Sequence, residues 1–209
     1  MDPAEQFLRA NTELTPTPLV PEVSLHLAVD IEALWQLTGG DEPPFWAFAW
    51  AGGQGVARYL LDSPSAVAGR SVFDLACGSG LVGIAASVAG AESVVCCDVD
   101  PLAGVAARVN AAANGVAVGV RVADVLDGPV DAQVVVAGDV FYDRDMAERV
   151  WPFLARVAAG GAAVLVGDPS NRPYLPRRRC VAVAEYVVPV TRELEGVREL
   201  VTTVWRVAG

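Results

Sequence analysis

The sequence predicts an α/β fold, in which a mostly parallel sheet has helices on both faces and an antiparallel hairpin at its C-terminal end. From Val72 onward, apolar runs of strand length alternate with helical stretches, which is typical of a parallel sheet. Near the C-terminus, two Val-rich runs have no helix of usable length between them, which favours a hairpin. The length of 209 residues suits one domain, so we expect a single domain over residues 1–209.

Residues 1–42 are expected to form an N-terminal extension or lid. The prolines within Thr15–Pro21 argue against regular structure there and indicate a tether or a lid. His26 is expected on the exposed face of a strand, because apolar and polar residues alternate around it. The predicted elements of this region are a helix over Ala4–Ala10, a strand over Val23–Leu27 and one or two helical turns over Ile31–Leu37.

The remaining elements follow the alternation of strand and helix. The predicted strands are Ser71–Leu75, Ser93–Asp98, Gly119–Ala123, Ala132–Ala137, Ala162–Val166, Cys180–Val188 and Leu200–Val207. The predicted helices are Leu81–Ala89, Pro101–Asn114 and Asp145–Ala159. Pro101 in a first helical turn and Gly115 just past a helix end match the usual helix boundaries.

Composition argues against several classes of protein. The chain has 15 basic and 25 acidic residues and a net charge of −10, and no apolar run reaches the roughly 18 residues of a membrane span. We therefore expect a soluble protein with no membrane partner. All basic residues are arginine, which removes Schiff-base chemistry and the lysine of a P-loop. Residues 1–10 show no secretory signal, so a cytoplasmic location is expected.

Cysteine spacing and charge distribution argue against a metal site and a nucleic acid partner. The four cysteines are Cys77, Cys96, Cys97 and Cys180. They form no C-x-x-C pair, and the one histidine is distant in sequence, so we expect four buried thiols and no zinc. The one dense basic run, 177–179, is interpreted as a solvated loop. A basic protein or a small molecule suits the acidic chain better.

A glycine-rich turn marks a candidate nucleotide site. Gly78, Gly80 and Gly83 satisfy G-x-G-x-x-G between a predicted strand and a predicted helix, where a ligand can approach the backbone closely. Asp98 lies 20 residues beyond Gly78, at the end of the next strand, where a carboxylate can accept hydrogen bonds from ribose hydroxyls. This spacing alone fits either a dinucleotide or S-adenosylmethionine.

Three features favour S-adenosylmethionine. Asp74 lies four residues before the glycines, where its carboxylate can face the ammonium group of a bound amino acid. The strand after Gly119 ends at Asp124, which is placed to accept a hydrogen bond from an adenine amine. A dehydrogenase would also need a second half or a substrate domain, for which this chain has no room. The alternative is that Asp74 or Asp124 only caps a helix or a turn.

The segments Val72–Gly80 and Cys97–Pro101 resemble the cofactor half of class I S-adenosylmethionine-dependent methyltransferases. The resemblance implies a Rossmann-like, seven-stranded and mostly parallel sheet with an antiparallel C-terminal hairpin. In such enzymes the end of the fourth strand, here Ala137–Asp143, faces the transferable methyl group. Asp139 could accept a hydrogen bond from an amine there, while Phe141 and Tyr142 shape an apolar slot or are ordinary core aromatics.

A narrower resemblance covers nearly the whole chain from Pro21. The segments that carry it are Pro44–Gln54, Gly138–Tyr142, Gly167–Pro169, Thr191–Glu193 and Thr203–Trp205. They resemble the protein lysine methyltransferase family that contains the enzyme acting on the beta subunit of electron transfer flavoprotein. In that family, an aspartate and a tyrosine spaced as Asp139 and Tyr142 form the catalytic motif, and a segment like Trp50–Gly53 borders the cofactor.

The two resemblances together imply a set of residues that contact S-adenosylmethionine. These are Trp50, Gly53, Asp74, Ala76, Cys77, Gly78, Gly80, Asp98, Val99, Asp124, Val125 and Gly138. The chain departs from the family pattern at Ala76-Cys77 in the glycine turn and at Ala51, where the family has proline. Phe45 and Phe48 are interpreted as a hydrophobic plug over the sheet.

The sequence therefore indicates a single-domain enzyme that methylates protein lysines, with the beta subunit of electron transfer flavoprotein as the expected substrate. The alternatives are a methyltransferase for a small amine or for another protein, such as a ribosomal protein, and a cofactor-binding fold retained as an interaction module. The acidic chain favours a substrate with an exposed lysine among other basic residues.

Overall fold

The computed structural model describes residues 2–39 and 43–209. In chain order its strands are β1 (Thr12–Pro16), β2 (Ser24–Ala28), β3 (Ser71–Leu75), β4 (Ser93–Asp98), β5 (Gly119–Val122), β6 (Val134–Gly138), β7 (Ala163–Pro169), β8 (Cys180–Pro189) and β9 (Glu199–Val207). Its helices are α1 (Pro3–Asn11), α2 (Ile31–Thr38), α3 (Ala51–Asp62), α4 (Leu81–Val88), α5 (Pro101–Ala113), α6 (Arg144–Ala159) and α7 (Arg192–Glu195). None of the described helices is long and apolar enough to cross a membrane.

The main sheet has seven strands in the order β5-β4-β3-β6-β7-β9-β8. The first five strands in this order, β5, β4, β3, β6 and β7, run parallel to one another. β9 runs antiparallel to both β7 and β8. The predicted fold class is thus confirmed. Strand order reverses at β3, which has β4 on one side and β6 on the other. Ligands of open α/β sheets bind at the carboxyl ends of strands beside such a reversal, so this edge is where a site is expected.

The buried strand β6 shows why both faces of the sheet are covered. Val135 and Ala137 belong to one core cluster, with Phe153 and Leu154 of α6. Val134 and Val136 point to the other face and belong to a second cluster, with residues of α3 and α4. Side chains alternate along a strand, so an uninterrupted apolar run supplies both cores at once. This packing makes the ends of β3 and β6 a rigid base for the adjoining loops.

The N-terminal region differs from its prediction. β1 pairs antiparallel with β2 from Thr12 to Pro16, so the first residues of the expected tether belong to a strand whose backbone groups are paired. His26 is buried, not exposed, because β2 packs on α5. Its backbone N–H donates to Asn110 Oδ1 at 2.8 Å, and its Nδ1 lies 3.1 Å from Thr12 Oγ1. The residues 40–42 of the expected lid lie outside the described part of the chain.

The helix α3 was not predicted, and its first turn packs closely against the ends of β6 and β7. A Cβ atom at Gly52 would lie 2.6 Å from the backbone nitrogen of Asp139, and one at Gly138 would lie 2.5 Å from Gly53 Cα. Only glycine permits this approach of the helix to the ends of β6 and β7. The Trp50–Gly53 segment therefore has a packing requirement of its own.

Candidate functional site

A cavity of about 720 Å³ opens at the carboxyl ends of β3, β4 and β6. It is lined by both predicted catalytic residues, Asp139 and Tyr142, and by all but one of the predicted cofactor-contacting residues. Those are Trp50, Gly53, Asp74, Ala76, Cys77, Gly78, Asp98, Val99, Asp124, Val125 and Gly138. The exception is Gly80. The structure thus brings these predicted residues, which come from five separate stretches of the sequence, into one cavity.

The turn after β3 forms the floor of the cavity. Ala76 and Gly78 have positive φ angles of 52° and 51°, which lets the chain reverse before α4 begins. The Gly78 N–H donates to Asp98 Oδ2 at 2.9 Å, so β4 fixes the turn. Gly80 also has a positive φ angle, of 81°, and a Cβ atom there would lie 2.8 Å from Ala107 Cα of α5. Gly80 does not line the cavity, and its contact with the cofactor stays a prediction.

Two carboxylates lie beside this turn. Asp74, at 1% exposure, accepts a hydrogen bond from the Gly83 N–H at 2.8 Å. Burial raises the pKa of Asp74 from 3.8 to about 7, the Gly83 hydrogen bond lowers it in part, and the Asp98 charge raises it further. Asp98 is half-buried, and its other oxygen accepts from the Asp100 N–H at 3.0 Å. This part of the cavity has the negative charge and acceptors that suit a ligand with cationic and hydroxyl groups.

The far rim of the cavity holds the third predicted carboxylate. Asp124 is exposed and pairs with Arg149 at 2.6 Å, while its Oδ1 accepts from the Leu126 N–H at 3.1 Å. These two hydrogen bonds, the backbone one first, lower the pKa of Asp124. Val99 is 68% exposed and Val125 is buried, so the two predicted valines contribute an outer and an inner apolar wall.

Asp139 follows β6 in a strained backbone conformation, with φ at 58°. Its N–H donates to Gly167 O at 3.1 Å, and its Oδ2 accepts from the Gly53 N–H at 2.9 Å. Within the described chain, its buried Oδ1 has no hydrogen-bond partner. Burial raises the pKa of Asp139 to about 7; the Arg172 charge and the Gly53 hydrogen bond lower it, and the charges of Glu195 and Asp168 raise it.

A buried acceptor without a partner is costly, by about 1–3 kcal/mol, unless a ligand or water completes it. Asp139 lines the cavity, so the missing donor must come from whatever enters it. The amino group of a substrate has such N–H donors. The same cavity offers acidic acceptors beside a tight glycine turn. The residues present therefore fit an S-adenosylmethionine molecule and an amine together.

Aromatic side chains form the wall near Asp139. The Tyr142 and Phe45 ring centroids are 5.6 Å apart, and those of Phe45 and Trp50 are 5.7 Å apart. Trp50 Nε1 donates to Phe45 O at 2.9 Å. Phe45 and Phe48 both line the cavity, so the plug interpretation was incomplete. Phe141 is fully buried in the core, as the alternative interpretation of that residue held.

Sequence reasoning missed two charged residues at this end of the cavity. Arg172 follows β7, and Glu195 ends α7; both line the cavity. Arg172 Nη2 lies 3.2 Å from Glu195 Oε1 and 3.8 Å from Asp139 Oδ1. Arg172 could have been suspected, because it follows a parallel strand at the same edge as Asp139. Nothing in the sequence pattern places Glu195 there.

The basic run 177–179 agrees with its prediction at Arg178 and Arg179, which are exposed, and differs at Arg177. It forms a short 3-10 turn, and Arg177 is half-buried rather than solvated. Arg177 Nη2 lies 3.4 Å from Asp168 Oδ2, a fully buried carboxylate at the end of β7. Of the four cysteines, Cys180 is half-buried and the others are buried, so the expectation of four buried thiols was wrong at that position.

Comparisons with known proteins show which proteins this chain is similar to. Residues 60–160 match the model of the ribosomal protein L11 methyltransferase (PrmA) family. The electron transfer flavoprotein beta subunit lysine methyltransferase of Mus musculus is 34% identical over 219 residues, which cover 98% of this chain and 85% of the mouse protein. The Homo sapiens protein of the same name is 35% identical, with 98% and 82% covered.

A solved structure agrees in fold. The magnesium protoporphyrin IX methyltransferase from Synechocystis PCC 6803, solved with bound S-adenosylmethionine, superposes with a TM-score of 0.54 at 16% identity. The superposition covers 74% of this chain and 77% of the other.

Proposed function

Because the chain belongs to the family of electron transfer flavoprotein beta subunit lysine methyltransferases, we propose that it methylates lysine side chains on the beta subunit of electron transfer flavoprotein. The chain is an S-adenosylmethionine-dependent methyltransferase. The observation that carries the proposal is Asp139 Oδ1, which has no hydrogen-bond partner among the described residues and lies in the same cavity as the glycine turn. It is a hydrogen-bond acceptor for an amine, placed beside the acceptors for the cofactor.

Bound S-adenosylmethionine supplies a methyl group on a positively charged sulfonium. Three carboxylates would hold the molecule: Asp74 its amino group, Asp98 its ribose hydroxyls and Asp124 its adenine amine. Asp98 already fixes the Gly78 backbone, so it would orient the ligand and the turn together. The burial that raises the pKa of Asp74 to about 7 also makes a cationic partner more favourable there than at an exposed carboxylate.

Asp139 would prepare the nucleophile. A lysine ammonium group with an ordinary pKa of about 10.4 cannot attack until it loses a proton. A carboxylate with a pKa of about 7 accepts that proton roughly a thousandfold more readily than one with a pKa of 3.8. Asp139 Oδ1 would accept the proton and pass it to solvent, while its hydrogen bond keeps the neutral nitrogen in place.

The aromatic wall would shape the approach of the lysine. Phe45 and Tyr142 present apolar surface to the four methylene groups of the side chain and exclude water from the reacting nitrogen. The position of Tyr142, 38% exposed beside Phe45, suits a residue at the cavity mouth. Because methyl transfer is an in-line displacement, holding the nitrogen at attack distance is the main demand on these side chains.

Mass spectrometry of recombinant electron transfer flavoprotein after reaction with the enzyme tests the proposal. We expect added methyl groups on beta-subunit lysines with the wild-type protein and none with Asp139→Asn, which keeps the size of the side chain. No modification of the flavoprotein, together with efficient labelling of a ribosomal protein or a small amine, would contradict it. The alternative of a ribosomal protein as substrate has support from the match to the PrmA family model. That match covers residues 60–160, from the end of α3 to the end of α6, and leaves out β7, β8 and β9.

A further inference from the structure

Three charged side chains from distant parts of the chain meet at one point of the cavity. Asp139 follows β6, Arg172 follows β7 and Glu195 ends the four-residue helix α7. Oxygens of the two carboxylates lie 3.8 and 3.2 Å from the same nitrogen, Arg172 Nη2. The side chains of Asp139, Arg172 and Glu195 are only 10%, 16% and 11% exposed. They form a nearly buried cluster, which we call the acidic clamp.

The acidic clamp lacks one positive charge. It has two carboxylates and one guanidinium, and the neighbouring Arg177 and Asp168 balance each other. Asp139 Oδ1 is buried and has no hydrogen-bond partner among the described residues, and the same holds for Asp168 Oδ1 beside Arg177. A nearly buried negative charge is unfavourable without a cation to pair with it. A primary ammonium group would supply both the charge and the N–H donors.

The arginine of the clamp is anchored through its backbone. Arg177 Nη2 donates to Arg172 O at 2.9 Å and to Ser170 O at 3.2 Å, and it pairs with the buried Asp168. The loop after β7 is therefore fixed to the end of the sheet although it has no regular structure. This anchorage keeps the Arg172 guanidinium between the two carboxylates.

Apolar side chains line the same cavity as the clamp. Leu194, the residue before Glu195, lines the cavity and packs against the cluster that contains Trp46 and Phe48. The same cavity therefore combines apolar walls with the two carboxylates of the clamp. A lysine side chain has complementary chemistry, with methylene groups followed by an ammonium group.

We propose that Glu195 is a specificity-determining residue that receives the amino group of the target lysine together with Asp139, and that Arg172 is the positioning residue that holds both carboxylates toward one point. This assignment rests on the proposed function, because it needs a lysine substrate. It adds a second carboxylate to the site, from the short helix α7 between β8 and β9.

The first test compares Glu195→Gln with Glu193→Gln. Both substitutions remove one negative charge from the same short helix, but Glu193 is exposed and does not line the cavity. We expect Glu195→Gln to raise KM for electron transfer flavoprotein at least about tenfold, the effect of losing one hydrogen bond to a charged group. Glu193→Gln should leave KM within about twofold, since a screened surface charge has little effect. Equal KM values for the two variants would overturn the assignment.

Binding of S-adenosylhomocysteine, measured by calorimetry, separates this role from a structural one. The affinity should be the same in Glu195→Gln, Glu193→Gln and the wild type. A parallel loss of cofactor affinity in Glu195→Gln would show that the residue supports the fold of the cavity, and would overturn its assignment to the lysine.

The pH profile gives an independent readout. The charged groups that face Asp139 are Arg172, Glu195 and Asp168, and the Gly53 N–H binds it from α3. The rising limb of kcat/KM reports ionisation of Asp139. Glu195→Gln removes a like charge and should move this limb to lower pH, whereas Arg172→Met removes a cation and should move it to higher pH. If the rising limb moves in the same direction in both variants, or moves in neither, the proposed roles of Glu195 and Arg172 would be overturned.

Two outcomes keep the inference distinct from the proposed function. If the wild-type protein leaves the flavoprotein unmodified, the proposed function fails and the assignment of Glu195 fails with it. If the wild type methylates the flavoprotein but the Glu195→Gln variant behaves as Glu193→Gln does, the inference alone fails. Should Arg172→Met no longer bind S-adenosylhomocysteine, the Glu195→Gln comparison decides the matter by itself.

Discussion

Replacing Asp74 by asparagine should make the ligand-free protein more stable at neutral and alkaline pH. Burial raises the pKa of this carboxyl group from 3.8 to about 7. A native state with the higher pKa binds the proton more tightly than the unfolded chain does. The stability that protonated Asp74 contributes is therefore complete below pH 3.8 and is lost as the pH rises to about 7. Asparagine does not ionise and escapes this loss.

The pKa sets the expected size of the effect. Above pH 7, the ionised Asp74 should lower the free energy of unfolding by about 4 kcal/mol, and at pH 5.5 by about 2 kcal/mol. The advantage of the asparagine variant should thus grow by about 2 kcal/mol between pH 5.5 and pH 8. The amide oxygen can still accept the Gly83 N–H, so the main hydrogen bond of Asp74 is kept. The other carboxyl groups with raised pKa values titrate in both the wild type and the asparagine variant, so their contributions to the pH dependence of stability cancel in the comparison.

Urea unfolding at the two pH values, after removal of bound cofactor, measures this difference. Asp131→Asn is the matched control, because Asp131 is exposed and should give no pH-dependent gain. The asparagine variant at position 74 should also bind S-adenosylmethionine more weakly, since the partner of the amino group is lost. A stability difference that stays constant between pH 5.5 and pH 8, or a loss of stability at pH 8, would refute the reasoning.

Three further predictions concern the turn and the surface charge. Asp98→Ala should weaken S-adenosylhomocysteine binding by about 1–3 kcal/mol in calorimetry, because ribose hydroxyls and the Gly78 N–H lose their acceptor; unchanged affinity would exclude the ribose contact. Ala76→Gly should raise the melting temperature, with a gain of up to about 1 kcal/mol from relieving the positive φ, and a lower temperature would contradict the strain. The net charge of −10 should draw in a basic substrate, so kcat/KM should fall as salt shortens the Debye length below about 8 Å; a rate independent of salt would argue against steering.

The sequence revealed the sheet well, for a physical reason. Runs such as Val134–Ala137 must be apolar on both faces when helices cover a parallel sheet, so their pattern is hard to mistake. Residues at the strand ends, including Asp74 and Asp98, were found because chain connectivity fixes them at the same edge of the sheet. The first turn of α3 was missed because it contains two glycines, which are poor helix formers, and the close packing against the ends of β6 and β7 accounts for Gly52.

Tertiary contacts decided what the sequence could not show. The alternation around His26 predicts an exposed side chain, but β2 packs against α5 and the side chain is buried. Glu195 lies in a connection between β8 and β9, where no periodicity predicts which side chain turns toward the cavity. Gly80 fits the motif in sequence, and its requirement for glycine comes both from its positive φ angle in the turn and from the close approach of α5.

Because position 172 is an arginine, the protein has no primary amine of its own there that could accept a methyl group. A lysine in its place would present a second primary amine beside the methyl-transfer site, where it would compete with the substrate as a nucleophile. A guanidinium carries its charge over three nitrogens and is a poor nucleophile, so it can balance the carboxylates without competing for the methyl group. The 209 residues contain no lysine at all. Methyllysine formed in a reaction mixture can therefore be attributed to the partner protein, and its amount per molecule of that partner can be read directly.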